Sequence, residues 1–157
     1  MSFSLEYIER CSAETGFQVA SLEKVGRLGE FSADIARHPF LGGALALKGG
    51  TALNLCFGRP KRLSVDLDFN YIGHVEREKM LVDRPEVERD VAELAGRRGY
   101  QVQESADAFA GRKLYLRYRS VLGQYERIEI DLNFIFRVPI AGVEMRQLWQ
   151  PGDLDQP

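Results

Sequence analysis

Apolar and polar positions follow two periods along this chain. Between residues 18 and 37, Val19, Leu22, Val25, Leu28, Phe31 and Ile35 recur at threes and fours, with Glu23, Lys24, Arg27, Glu30 and Asp34 between them. That spacing predicts an amphipathic helix. Gly26 and Gly29 inside it each cost roughly 1 kcal/mol against alanine, so close packing is expected to need them. His38-Pro39 ends it, because the residue before proline disfavours the α region. A shorter helix is predicted over residues 4–15, broken near Gly16.

The period then shortens. Ala44 to Lys48 is an apolar run that suits a buried strand, and Gly49-Gly50 breaks it. Thr51 is expected to cap a short helix through Cys56. Phe57 to Arg62 reads as a basic loop. From Ser64 to Tyr71 the alternation is strict: Val65, Leu67 and Phe69 point one way, Ser64, Asp66, Asp68 and Asn70 the other. Residues 74–98 read as helix, in two pieces split at Pro85, with Val87, Val91 and Leu94 as the apolar stripe of the second piece. Tyr100 to Val102 suits a short strand, and residues 103–112 a polar loop. Lys113 to Val121 and Arg127 to Phe136 alternate again, joined by a hairpin connection over Leu122 to Tyr125. Past Pro139 the pattern fades.

This order predicts an α/β or mixed α+β fold: a small mixed sheet with flanking helices. The expected division is N-terminal helices over residues 1–38, a core over 39–140 and a tail over 141–157.

Composition removes several function classes. The chain has 157 residues, 45% hydrophobic and 28% charged, which is one ordinary globular domain. Its net charge of −2 argues against holding nucleic acid by bulk charge. Two histidines and two scattered cysteines do not make a zinc site, and so few cysteines suit the reducing cytoplasm. No signal peptide is visible at the N-terminus, and no stretch is long and apolar enough to span a membrane.

Four pieces carry candidate chemistry. Lys48-Gly49-Gly50-Thr51 joins a strand to a helix, and a helix N-terminus with glycine before it suits a phosphate. The plainer reading is a turn and a cap. Asp66 and Asp68 place two carboxylates on one strand face, and a divalent cation offsets their repulsion. Mg²⁺ takes such oxygens together with phosphate oxygens. A solvated strand face is the plainer reading, but Asp66 follows Gly50 by 16 residues, past the basic loop. Asp131 sits on the polar face of the last alternating run, with Glu129 and Asn133. It could complete metal binding or accept a proton. Lys113 shares a face with Tyr115, Arg117 and Arg119 and could neutralise phosphate charge; a solvated basic stripe is the plainer reading, and the preferred one for Arg117 and Arg119. Lys113 and Asp131 share a face only if hairpin partners have an even sum, as when Val121 pairs with Arg127 or Tyr125. The even register is expected, since otherwise Asp131 would join the apolar face.

The segments LKGGTALNL, RLSVDLDF, GRKLYLRYRS and RIEIDLNFIFRVP, in this order, resemble the AbiEii/AbiGii toxin family of nucleotidyltransferases. The resemblance covers roughly residues 40–140 and implies a minimal polymerase-β-like nucleotidyltransferase core. It implies that Gly49, Gly50 and Thr51 form the phosphate-binding turn, and that Asp66 and Asp68 are metal ligands. Ser64 matches the hydroxyl before the first acid, Lys113 the active-site lysine and Asp131 the third acid, a catalytic residue and metal ligand. Lys48 and Arg62, beside these segments, would contact phosphates. The implied cofactor is Mg²⁺ or Mn²⁺ and the implied substrate a nucleoside triphosphate. The implied acceptor is RNA, the 3′ end of tRNA in some members. The implied role is the toxin of a toxin–antitoxin or phage-defence system, with a cognate antitoxin. The family usually continues into a helical C-terminal region, for which this chain leaves little length after residue 140. An inactive nucleotide- or partner-binding module, or acids that merely solvate a sheet face, are the alternatives the residues leave open.

Overall fold

The computed structural model describes residues 3–56 and 61–147. Most of the basic loop, including Arg59, and the last ten residues lie outside the described residues.

Helices α1 (Leu5–Thr15) and α2 (Val19–Arg37) come first. Then follow α3 (Leu41–Ala44), β1 (Leu45–Lys48), α4 (Gly49–Cys56) and β2 (Asp66–Tyr71). A long helix, α5 (Arg77–Arg97), leads to β3 (Gln101–Glu104), β4 (Gly111–Arg119) and β5 (Tyr125–Asn133). The five strands form one mixed sheet in the order β1-β2-β5-β4-β3. β5 pairs parallel with β2; the other neighbours are antiparallel. This is the mixed α+β architecture that the alternating segments predict.

One sheet face builds the core. Leu67, Phe69 and Tyr71 of β2, Leu114 and Leu116 of β4, and Ile128, Ile130 and Leu132 of β5 all point to it and are buried. Leu28, Phe31 and Ile35 of α2 cover them, with Met80, Val87, Val91 and Ala95 of α5. Each large aliphatic side chain so buried contributes about 1.5–3 kcal/mol. A smaller cluster of Ile8, Cys11 and Leu22 joins α1 to α2.

Two predicted breaks turn out differently. α5 runs through Pro85 without interruption. Proline there removes the hydrogen bond to the carbonyl of residue 81, but Leu81 and Pro85 both lie on the exposed side, where water can replace it. Ala44 belongs to α3 rather than to the strand, although Gly42 and Gly43 are poor helix formers. His38 Nδ1 accepts the backbone N–H groups of Phe40 and Leu41, at 3.2 and 3.1 Å, and caps this turn.

Strand limits also shift. β3 begins at Gln101 and β4 at Gly111, which shortens the polar loop. The loop folds back onto α5, where Arg84 holds Glu88 at 2.9 Å and Asp107 at 2.8 Å. The hairpin register has an even sum, with Lys113 opposite Asp131 and Arg119 opposite Tyr125. The turn is tighter than either pairing expected of Val121, by one step from Tyr125 and two from Arg127, because Ser120 already closes it through Gln124. Among the described residues, no helix is long and apolar enough to cross a membrane.

Candidate nucleotidyl-transfer site

The other sheet face is polar and half-exposed, and one rung of it crosses four strands. Lys48 of β1 pairs with Asp68 of β2, Asp68 with Asp131 of β5, and Asp131 with Lys113 of β4. Neighbouring strands lie about 4.8 Å apart, so the rung runs cation, acid, acid, cation over about 14 Å. No local preference of the backbone requires this. Alternation in three separate segments sets it, together with the parallel register of β2 on β5.

The glycine turn closes one end of the rung. Gly49 follows β1 directly and has φ +77°, a conformation glycine adopts without cost. A Cβ on Gly49 would stand 2.8 Å from Asp68 Oδ2, so the turn lies against that carboxylate. Gly49 and Gly50 are exposed at the start of α4, where backbone N–H groups lack helical partners.

Thr51 does not cap the helix from outside, as the sequence suggested, because α4 already starts at Gly49. Its side chain is fully buried. The Thr51 hydroxyl donates to the Asp66 carbonyl and lies 2.8 Å from the Ser64 hydroxyl. Ser64 precedes β2 rather than opening it, and a Cβ on Gly50 would come within 3.4 Å of its Oγ. Thr51 and Ser64 therefore tie the turn to the start of β2. Arg62 stands exposed two residues earlier and joins no ion pair of the rung.

Lys113 lies closer to Glu129 than to Asp131. Its Nζ lies 2.5 Å from Glu129 Oε1 and 3.8 Å from Asp131 Oδ2. The hydrogen bond and the charge of Glu129 raise the Lys113 ammonium pKa above the usual lysine range, and Asp131 adds to this. The Asp68 carboxyl is pushed up, first by burial and then by the charge of Asp131. Asp66 adds to that shift, while Lys48 and Lys113 oppose it.

The acids are not gathered equally. Asp68 and Asp131 stand side by side across the parallel pair, whereas Asp66 lies one rung further along β2, beside Glu129. Among the described residues, no three His, Cys, Asp or Glu side chains come together closely enough to hold a metal ion. Mg²⁺ does not require such a cage; it accepts one or two carboxylates completed by phosphate oxygens and water. The pair Asp68 and Asp131 fits that donor set, with the glycine turn beside it for the phosphates.

A family model described as "Nucleotidyl transferase AbiEii toxin, Type IV TA system" matches residues 33–155. The chain belongs to that family. No curated protein matches it. Among solved structures, the crystal structure of JHP933 from Helicobacter pylori is similar, with a TM-score of 0.53 and 17% sequence identity. The match covers 82% of this chain and 50% of that one, so this chain spans about half the length of its structural neighbour. At that identity the likeness is one of fold.

The AbiEii match includes the whole rung and the glycine turn, and leaves out α1 and most of α2. Within this candidate site of an AbiEii-family chain, the side chain that sequence reasoning passed over is Glu129. Its signal was present: it lies two residues before Asp131 on the same face, diagonal to Lys113.

Gly49→Ala tests the close approach. The added methyl must displace the Asp68 carboxylate, and a non-glycine residue at this φ costs about 1–2 kcal/mol. The expected result is a thermal midpoint lowered by a few degrees, with nucleotide binding weakened far more than that loss would predict. A thermal-shift titration with nucleotide measures both.

Proposed function

We propose that this chain is a metal-dependent nucleotidyltransferase. It would move a nucleoside monophosphate from a triphosphate to an acceptor hydroxyl on RNA, such as a tRNA 3′ end, as the toxin of a toxin–antitoxin or phage-defence pair with a cognate antitoxin. The observation that carries this reading is the Asp68–Asp131 pair set beside a left-handed glycine turn, inside a chain of the AbiEii family.

In the proposed reaction the acceptor oxygen bonds to the α-phosphorus. The bond from the α-phosphorus to the bridging oxygen breaks, and pyrophosphate leaves with the electron pair. The hydroxyl proton passes to Asp131 or to water. Backbone N–H groups of Gly49 and Gly50 face the β- and γ-phosphates, and Lys48 adds charge at that end. Lys113, held in place by Glu129, faces charge that develops on the transferred group. Asp68 and Asp131, with Asp66 beside them, would hold Mg²⁺, which supplies Lewis-acid polarisation of the phosphate oxygens when bound. Thr51 and Ser64 act by positioning the turn. Arg62 is retained as a phosphate contact on its sequence position alone.

The test is incubation with Mg²⁺, each labelled nucleoside triphosphate in turn, and total RNA. Label is expected in one RNA size class from the native chain and in none from Asp66→Ala. One observation favours an inactive binding module instead: the three acids do not converge on one point. That reading predicts no labelled RNA while nucleotide with Mg²⁺ still stabilises the fold, by about 2.7 kcal/mol at 100 times the dissociation constant. Full labelling by Asp66→Ala would remove this acid from the mechanism.

A further inference from the structure

The polar face continues past the catalytic rung. The next rung along β3, β4 and β5 carries Gln103, Tyr115 and Glu129, and the one after it Gln101, Arg117 and Arg127. A cleft of about 450 Å³ opens there, with Tyr125 and Glu126 at the start of β5 also in its lining.

Its arginines differ from most others on the molecule. Arg84, Arg98 and Arg112 are each clamped by two or more carboxylates. Arg117 and Arg127 have no carboxylate partner among the described residues, and each rests on a tyrosine instead. The Arg117 guanidinium lies 4.0 Å from the Tyr125 ring centre, and that of Arg127 lies 4.8 Å from the Tyr115 ring centre. Exposed guanidinium and aromatic planes, with glutamine amides beside them, match the needs of single-stranded nucleic acid. Phosphates take the charge and unstacked bases take the rings. A duplex keeps its bases stacked inside and has no use for the tyrosines.

Position gives the cleft a direction. The glycine turn sits at the β1 edge of the sheet and the cleft at the β3 edge, with the two acids on β2 and β5 between them. In phosphoryl transfer the attacking and leaving oxygens lie roughly in line through phosphorus. If the turn grips the departing pyrophosphate, the attacker must arrive over β5 and β4. The cleft lies on that side, with Arg127 about 13 Å along β5 from Asp131.

We propose that this cleft is the acceptor-strand site. It holds the last nucleotides of a single-stranded RNA end and delivers the terminal hydroxyl toward Asp131. This rests on the nucleotidyltransferase reading and adds where the acceptor lies and which form of RNA is taken.

The probe is a 5′-fluorescein single-stranded RNA of mixed sequence, about twelve nucleotides long. Fluorescence anisotropy gives its affinity for the full chain across a salt series. Arg117→Glu with Arg127→Glu is expected to weaken binding at least about tenfold. Arg117→Gln with Arg127→Gln should lower the slope of log affinity against log salt by about 1.4, at ~0.7 per lost phosphate contact. Tyr115→Leu with Tyr125→Leu should weaken binding by about tenfold with the native salt slope, because stacking is lost and charge is not. All four side chains are on the sheet surface, and thermal midpoints near the native value confirm folding. In transfer assays the KM for RNA should rise and the KM for the triphosphate should hold. RNA affinity unchanged in these variants, alongside a native chain that does transfer nucleotide, overturns the cleft assignment alone. A raised triphosphate KM with intact RNA affinity overturns it in favour of a nucleobase pocket. No transfer by the native chain to any RNA overturns the nucleotidyltransferase reading, and the acceptor role with it.

Discussion

Asp68→Asn should silence nucleotide transfer and leave the protein at least as stable as before. Asp68 stands at the centre of the rung, between Lys48 and Asp131, with Gly49 folded against its Oδ2. Burial raises its carboxyl pKa and the neighbouring Asp131 raises it further. The sign follows directly. A carboxyl raised in the folded state favours folding while it is protonated, and that advantage is lost as pH rises through the folded value. At neutral pH the ionised form is therefore a net cost, and asparagine removes it while keeping the shape. Activity should fall by at least about 10³-fold, the scale of losing a group aimed at transition-state charge. Transfer at saturating triphosphate and a denaturation midpoint at pH 7 decide the matter. Retained transfer would exclude Asp68 from the chemistry, and a collapsed midpoint would make it structural.

The largest stability loss is expected from Glu23→Ala, far from the rung. Glu23 is fully buried in α2. One carboxylate oxygen binds the Arg27 guanidinium at 3.0 Å; the other accepts the Val121 N–H at 3.0 Å. Arg27 in turn lies 4.0 Å from the Tyr118 ring centre. Truncating Glu23 leaves a largely buried cation and a backbone donor without their partner. Breaking such a buried pair costs about 3–5 kcal/mol. For a chain of this size each kcal/mol lowers the midpoint by about 2–4 °C. Glu23→Ala with Arg27→Met should recover part of the loss, because no charge is then stranded. A Glu23→Ala protein with an unchanged midpoint would show that the pair contributes nothing.

The contrast between these two acids shows what the chain made legible. Asp66 and Asp68 alternate with Val65, Leu67 and Phe69, so their face could be read locally, and the parity argument placed Lys113 with Asp131. Alternation is a short-range property, and the sheet preserves it. Glu23 sits among Lys24, Arg27 and Glu30, where it reads as one more solvent-facing helix charge. Its burial depends on Val121, 98 residues away, which no local pattern reports. Thr51 was misplaced for a similar reason. It has the chemistry of a cap, but the Asp66 carbonyl and the Ser64 hydroxyl claim its side chain from another segment. Lys113 was expected only to share a face with Asp131, and Glu129 was named only as another residue of that face; the long lysine side chain reaches this diagonal neighbour more closely than the residue opposite. Pro85 was read as a break because sequence does not show which side of a helix faces water.

The parallel pairing of β2 with β5 has a consequence for the life of the chain. Asp68 and Asp131 are 63 positions apart (131 − 68), and β5, the last described strand made, inserts into the middle of the sheet rather than at its edge. Contacts this distant in sequence form late, after the loop between them has been closed. During synthesis at roughly 5–20 residues per second, the ribosome would expose the glycine turn and β2 well before their acidic partner emerges. A growing chain thus carries a half-built centre, and the harmful activity proposed for it would begin only once β5 has threaded between β2 and β4.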